Sequence, residues 1–206
     1  IIADAADLIR LGMEAVLKAR SEFIVEASVN SLNDLHVAVE HQPQVMVIDE
    51  RLDPGVDILQ IVEDVLQISP KTQVLVSGYL RDGLLIRDLF AVGCRGYLYK
   101  GDELQDSLIC AIETVMRDRL YLSPTANAEY LTAMQTPQRD WQLDQEARGV
   151  LRLLAQGRHV GQIALALDIH PRRVYWVREK LRVRFGASTN EHMISRAAAE
   201  GFVFSS

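Results

Sequence analysis

Four residues whose types suit phosphoryl chemistry each lie at the end of a short apolar run, although they are far apart in the chain. Asp4 follows IIA, Asp49 follows VMVI, Ser77 ends QVLVS and Lys100 follows GYLY. A carboxylate can act as a nucleophile, a hydroxyl and an ammonium can hold phosphoryl oxygens, and acids can bind a divalent cation. The set predicts a phosphorylatable aspartate.

A second informative group of residues belongs to a basic helix that apolar spacing predicts over residues 171–185. At about 100° per residue, one face carries residues expected to pack on the preceding helices: Val174, Val177, Leu181 and Phe185. The opposite face carries residues that would meet the floor of a DNA groove: Arg172, Trp176, Glu179 and Val183. The flanks carry Arg173, Lys180 and Arg184 on one side and Tyr175 and Arg182 on the other.

Such a helix suits the major groove of DNA, because phosphates line both sides of the groove and base edges form its floor. We expect the flanks to give affinity, and Arg172, Trp176 and Glu179 to give base preference. The predicted DNA-binding residues are Arg172, Arg173, Tyr175, Trp176, Lys180, Arg182 and Arg184. Two alternatives stay open, a solvated basic face without a ligand and contact of the exposed indole with a protein.

The first 118 residues must position the four polar residues. Strand-like runs at 1–3, 23–27, 45–48, 73–77 and 96–99 alternate with helical patterns. Short strands that are continuously apolar are typical of a parallel sheet covered by helices on both faces. The pattern therefore predicts an α/β fold with a doubly wound five-stranded sheet, in which the carboxyl ends of the strands gather at one edge.

The rest of the chain is predicted to be helical. Residues 119–142 contain two prolines and are expected to form a linker, with one short helix after Pro124. Residues 143–206 are predicted to form a four-helix domain in which the basic helix comes third. The predicted domains are therefore 1–118, 119–142 and 143–206.

The distribution of charge agrees with this division. The chain of 206 residues has a net charge of −6, but residues 1–125 contain 11 Lys and Arg against 20 Asp and Glu, a net of −9. Residues 126–206 contain 11 against 8, a net of +3. A basic patch attracts polyanions whereas an acidic domain does not. No apolar run reaches the length of a membrane span, so we expect a cytoplasmic protein that binds no membrane.

The chain resembles a family with both kinds of domain. Residues 1–118 resemble the receiver domain of two-component response regulators through IIADAADLIRLG, VMVIDERLDPG, VLVSG and GCRGYLYK, and residues 143–203 resemble the NarL/LuxR-type helix-turn-helix. The resemblance implies a flavodoxin-like receiver in which Asp49 is the phosphoacceptor, Ser77 the switch hydroxyl, Lys100 the phosphoryl-binding lysine and Tyr97 an aromatic that moves inward on activation. It also implies binding to double-stranded DNA, a sensor histidine kinase as partner, and Mg²⁺ bound by Asp4 and Asp49. We expect a homodimer, because a single short helix buries too little surface for useful specificity.

Two departures from the family pattern concern the metal. Receivers carry two adjacent acids after the first strand, whereas here Asp4 is followed by Ala5, and the loop after Asp49 is one residue longer because of Asp53. Since Mg²⁺ needs well-placed anionic oxygens, the loss of one weakens the site unless Asp53, Glu50 or Asp7 compensates. Phosphorylation of Asp49 and a degenerate receiver governed by dimerisation, protein binding or ligand binding both stay open.

Two other classes of function are less well supported. A phosphatase of the haloacid-dehalogenase type would carry a second aspartate two residues after the nucleophile, where this chain has Arg51. We therefore expect that the protein is not an enzyme. An interaction module, with a front domain that never accepts phosphate and a back domain that binds protein, is the other rival. Salt-sensitive binding to DNA distinguishes it from a regulator.

Overall fold

The computed structural model describes residues 1–135 and 143–203, so residues 136–142 of the predicted linker and the last three residues lie outside the described part. The chain divides into two compact units. The first comprises Ile1–Tyr79 and Ile86–Ala128, and the second comprises Leu80–Leu85 and Glu129–Ser206.

The first unit is built on a parallel sheet whose strands are ordered β2-β1-β3-β4-β5-β6. The strands are β1 (Ile2–Ala3), β2 (Ser28–Val29), β3 (Val45–Asp49), β4 (Gln73–Gly78), β5 (Gly96–Tyr99) and β6 (Tyr121–Leu122). The central strands β3 and β4 are apolar and almost wholly buried, as their continuous apolar runs predict. Because every pair is parallel, all the strands end at the same edge of the sheet.

Helices separate successive strands, which confirms the predicted α/β class. They are α1 (Asp7–Lys18), α2 (Leu32–Val39), α3 (Ile58–Ile68), α4 (Gly83–Ala91) and α5 (Leu104–Val115). The apolar sides of α1 and α5 pack together with the strands in one buried cluster that includes Met13, Leu75 and Leu108. The helix predicted after Pro124 is present as α6 (Pro124–Gln135).

The sheet differs from the prediction at two places. A sixth strand, β6, pairs with β5 at the beginning of the predicted linker; two residues are too short to show a periodic pattern. The second strand is Ser28–Val29 and not residues 23–27. Its length is set by β1, because only Ile2 and Ala3 offer it partners, opposite Ser28 and Val29.

The second unit contains the four predicted helices, α7 (Gln145–Ala155), α8 (Val160–Ala166), α9 (Pro171–Arg184) and α10 (Asn190–Ala199). Each begins at a side chain that accepts a backbone N–H, which satisfies one of the unpaired donors of a first turn. The capping residues are Asp144, His159, His170 and Thr189. Helix α9 also has proline at its first position, where a missing N–H costs nothing.

One buried cluster joins these helices and fixes the position of α9. It includes Leu151 and Leu154 from α7, Ile163 from α8 and Met193 from α10. Gly186 follows the end of α9 with φ of 57°, a conformation that favours glycine. In the described part of the chain, no helix is long and apolar enough to cross a membrane.

Candidate functional site

The carboxyl edge of the sheet brings together three of the four residues predicted to share a site. Lys100 Nζ donates hydrogen bonds to Asp4 Oδ2 at 2.7 Å and to Asp49 Oδ1 at 2.8 Å. The side chains of Lys100, Asp4 and Asp49 are only 2%, 1% and 8% exposed. One ammonium therefore lies between two buried carboxylates, which we call the Lys100 triad.

Burial and pairing act on the protonation of this triad in opposite directions. Burial raises the pKa of Asp49 above its ordinary value, although the neighbouring Lys100 opposes the shift. Burial by itself would lower the pKa of Lys100, but the charges and hydrogen bonds of Asp49 and Asp4 together raise it. Lys100 is therefore a cation at neutral pH, and it offsets the repulsion between the two acids.

Ser77 lies beside Asp49 on the neighbouring strand, as predicted. The two residues are partners in the β3–β4 register. Ser77 is fully buried, and among the described residues its hydroxyl oxygen has no hydrogen-bond partner. A buried hydroxyl without a partner is costly, so this oxygen is a ready group for an additional ligand.

The residues of the triad do not fit a magnesium ion. Mg²⁺ requires near-octahedral oxygen coordination, and both Asp4 and Asp49 are already bonded to Lys100. Ala5, at the position of the missing acid, is exposed. Across the part of the chain that the structure describes, no group of three or more His, Cys, Asp or Glu is arranged to hold a metal ion.

The three acids that could have compensated for Ala5 have other partners. Asp7 forms an ion pair with Arg10 at 2.7 Å. Asp53 accepts a hydrogen bond from the backbone N–H of Gly55 within its own loop, at 2.8 Å. Glu50 makes the more consequential contacts.

Glu50 is a site residue to which the sequence analysis assigned no role beyond possible compensation. Its buried carboxylate accepts hydrogen bonds from the Tyr97 hydroxyl and from the backbone N–H of Tyr79, both at 2.5 Å. A Cβ at Gly78 would overlap the Glu50 carboxylate, so this glycine provides the space for it. The only signal in the sequence was an acid next to Asp49 and a glycine next to Ser77.

The consequence concerns Tyr97, the predicted switch aromatic. Tyr97 is 1% exposed, so its ring already lies inside the first unit. The Glu50 carboxylate provides a buried hydrogen-bond acceptor that keeps it there. Lys100 and Tyr97 come from the same strand end, yet they bond to different acids, Lys100 to Asp4 and Asp49 and Tyr97 to Glu50.

The basic helix α9 is oriented in the second unit as the helical wheel predicts. Its apolar face is buried, with Val174, Val177, Leu181 and Phe185 at most 1% exposed. On the outer side of the same helix, the three large apolar side chains Tyr175, Trp176 and Val183 are 50%, 53% and 83% exposed. Packing therefore fixes one face of α9 and leaves the other open.

Two cations on the predicted DNA-facing flank have acidic partners at the beginning of α7. Arg173 Nε donates a hydrogen bond to Glu146 Oε1 at 2.7 Å. Lys180 Nζ lies 3.6 Å from Asp144 Oδ2. The charge on this flank of α9 is therefore partly matched within the second unit.

The remaining cations of the two flanks are less exposed. Arg182 is 25% exposed and pairs with Glu179 at 2.9 Å. Arg184 is 15% exposed and pairs with Glu200 at 3.2 Å, with its guanidinium 5.0 Å from the centre of the Phe185 ring. Arg184 is thus engaged within the second unit, and its contact with DNA stays a prediction.

Comparison with known proteins finds bacterial regulatory proteins among the relatives of this chain. The chain is 28% identical to the transcriptional regulatory protein LnrK of Bacillus subtilis over 73% of its own length and 64% of that protein, so it spans less than two thirds of this relative. It is 24% identical to the response regulator GacA of Pseudomonas aeruginosa over 98% of its own length and 96% of GacA. No protein-family model matches the chain.

A solved structure matches the fold over nearly the whole chain. RcsB from Salmonella enterica serovar Typhimurium, bound to promoter rprA in the presence of phosphomimetic BeF₃⁻, superimposes with a TM-score of 0.77. The match covers 96% of this chain and 97% of RcsB at 16% identity. The chain is a homologue of NarL/LuxR-type response regulators. In this response-regulator fold, Asp49 ends the central strand β3 and α9 is the third helix of the helix-turn-helix unit.

The Lys100 triad predicts a large dependence of stability on one side chain. Lys100→Met should lower the free energy of unfolding by about 3–5 kcal/mol at neutral pH, because it leaves two buried carboxylates without a cation. The loss should shrink in acid, where Asp49, whose pKa is raised by burial, becomes protonated. Urea unfolding followed by circular dichroism measures it. Lys18→Met is the control: it breaks an exposed pair with Glu14 and should cost about 0.5 kcal/mol or less. Equal losses would contradict the buried ion triad.

The hydrogen bond between Tyr97 and Glu50 predicts that two tyrosine substitutions differ in their effect on the free energy of unfolding. Tyr97→Phe removes the donor to a buried carboxylate and should lower the free energy of unfolding by about 1–3 kcal/mol. Tyr99→Phe removes a hydroxyl from the same strand, where the side chain is partly exposed, and should change it by only about 0.5 kcal/mol. The same urea titration compares both variants. A Tyr97→Phe variant as stable as the wild type would show that Glu50 does not hold the ring.

Proposed function

We propose that the chain is a DNA-binding transcriptional regulator of the two-component type. Residues 1–118 act as its receiver, 119–142 as the linker and 143–206 as the DNA-binding domain. The observation that carries the proposal is α9, a capped basic helix packed on one face and open on the other. The names of the relatives support it, since LnrK is a transcriptional regulatory protein and the RcsB structure contains promoter DNA.

Physical chemistry favours DNA as the ligand of the second unit. A helix in the major groove is flanked by phosphates, and an exposed cation such as Arg172 can replace their counterions. One short helix buries too little surface for useful specificity. The protein therefore binds as a homodimer, whose two copies contact two half-sites about one helical turn apart.

For the receiver, we propose that its state is set without magnesium-dependent phosphorylation. Two observations favour this mode. The Lys100 triad offers a donor set that does not suit Mg²⁺, because both carboxylates are bonded to an ammonium. Tyr97, the residue that moves inward on activation in the family, is held inside by Glu50. Dimerisation, a protein or a small ligand then takes the place of phosphate as the controlling event.

The competing mode is phosphorylation of Asp49 by a sensor histidine kinase. In that mode Lys100 and the hydroxyl of Ser77 would contact the phosphoryl oxygens. The absence of a hydrogen-bond partner for Ser77 among the described residues agrees with this mode. The two modes make opposite predictions for the mass of the protein after treatment with acetyl phosphate and Mg²⁺.

DNA binding should depend strongly on salt. We expect affinity for random duplexes to fall linearly with the logarithm of salt concentration, with a slope of about −0.9 per phosphate neutralised. Arg172→Ala should weaken binding and reduce the magnitude of the slope by about 1. Fluorescence anisotropy with labelled duplexes measures both.

The matched control is Arg117→Ala, which removes an exposed arginine from the first unit. Its slope should equal that of the wild type. Binding that ignores salt, or an equal effect of the two substitutions, would count against α9 as the DNA-contacting element.

Treatment with acetyl phosphate and Mg²⁺ should leave the mass of the intact protein unchanged. A receiver that accepts phosphate under the same conditions serves as the positive control. A gain of one phosphate that disappears in Asp49→Asn would instead establish the phosphorylated mode. Mass spectrometry of the intact chain distinguishes the two results.

A further inference from the structure

The outer face of α9 carries an unusual residue at its centre. Trp176 is 53% exposed and lies midway along α9. The residues three and four positions away from it along the helix are all charged. Large apolar rings that remain open to water usually mark contact surfaces.

Two cations of its own helix lie close to the Trp176 ring. The guanidinium carbon of Arg173, three residues before, lies 4.3 Å from the centre of the indole. The ammonium of Lys180, four residues after, lies 5.6 Å from it. Residues at these spacings share one side of a helix, and cations near an aromatic face are attracted by its electrons.

The same two cations are attached at their far side to α7. Arg173 bonds to Glu146, and Lys180 lies close to Asp144, the residue that caps α7. We call the set Asp144, Glu146, Arg173, Lys180 and Trp176 the indole clamp. Through it, the orientation of an exposed ring on α9 depends on the start of a different helix. A contact group held in place before binding loses less conformational entropy on binding.

The clamp changes the roles of Arg173 and Lys180. Both were predicted to contact phosphates along one flank of the helix. Their charges are already partly matched by carboxylates, so they add less to phosphate attraction than exposed cations would. Their contacts with the ring make them positioning residues for Trp176.

We propose that Trp176 contacts the C5-methyl group of thymine in the major groove, and that the clamp sets this preference for base sequence. The inference rests on the proposed function of DNA binding. The thymine methyl is the apolar group that base pairs present in the major groove, and cytosine presents an amino donor there. The indole matches the methyl in polarity, while its N–H can only donate. The exposed Arg172, four residues before Trp176 on the same outer face, favours a polyanion over an apolar protein partner.

Removal of the methyl groups tests the proposal. A duplex is first recovered by selection from a randomised pool, and each thymine is then replaced by uracil, which lacks only the C5-methyl. Replacement at the contacted position should weaken binding by the wild type about 4-fold, the effect of about 0.8 kcal/mol for one buried methyl-sized group. Trp176→Ala should bind the thymine and uracil duplexes equally.

Leu165→Ala is the control, since it removes an exposed apolar side chain from the neighbouring helix α8, which is not among the predicted DNA contacts. It should keep the preference for thymine. A wild type that binds all uracil duplexes as tightly as the thymine duplex, while its binding still depends on salt, would overturn the proposal and leave the proposed function standing. Duplex binding unaffected by Trp176→Ala would assign the ring to a protein contact and overturn it too. Absence of any salt-dependent binding to DNA would instead overturn both the thymine contact and the proposed function.

The clamp has a test of its own. Glu146→Gln removes the charge that anchors Arg173 but keeps both cations on α9. We expect it to reduce the ratio of thymine to uracil affinity towards 1 without reducing the salt slope. If Arg173 were simply a phosphate contact, the same substitution would leave the ratio unchanged and would strengthen binding through the released cation. That result would rule out positioning through Glu146.

Discussion

The ammonium of Lys100 is the interaction on which the carboxyl edge of the sheet depends. Asp4 and Asp49 come from adjacent strands that end at the same level, so the fold itself brings two acids together in a place where little water reaches. Two buried carboxylates with no cation would repel each other and would favour protonation. Lys100, from a third strand, bonds to both. Once it does so, one oxygen of each carboxylate is bonded to the ammonium, which competes with a divalent cation for these ligands.

The same edge of the sheet carries a third buried acid, Glu50, whose bonding partners differ from those of Asp4 and Asp49. Glu50 follows Asp49 directly, but its carboxylate bonds to Tyr97 and to the backbone of Tyr79. Gly78 makes this possible because any side chain there would occupy the same space. The resemblance to receiver domains predicts that the Tyr97 ring moves inward on activation. Here a hydrogen bond within the fold is sufficient to keep the ring inside.

Much of the architecture followed from sequence pattern, and the exceptions have physical causes. Continuous apolar runs predicted β3, β4 and β5, and apolar spacing predicted the basic helix α9 over residues 171–185. The wheel placed Val174 and Trp176 on opposite sides correctly. The partners of charged side chains were not predictable, because they depend on which helices pack together. Thus the bonds of Arg173 to Glu146 and of Arg184 to Glu200, and the orientation of Glu50, required the structure.

A titration of the intact protein with millimolar Mg²⁺, followed through the side-chain nitrogen resonance of Lys100 and by calorimetry, tests the role of the triad most directly. With the ammonium bonded to Asp4 and Asp49, the resonance should stay in place and no saturable heat should be released. A saturable shift of the Lys100 signal that Asp49→Asn abolishes would contradict this, because it would mean that the metal displaces the lysine from its carboxylates.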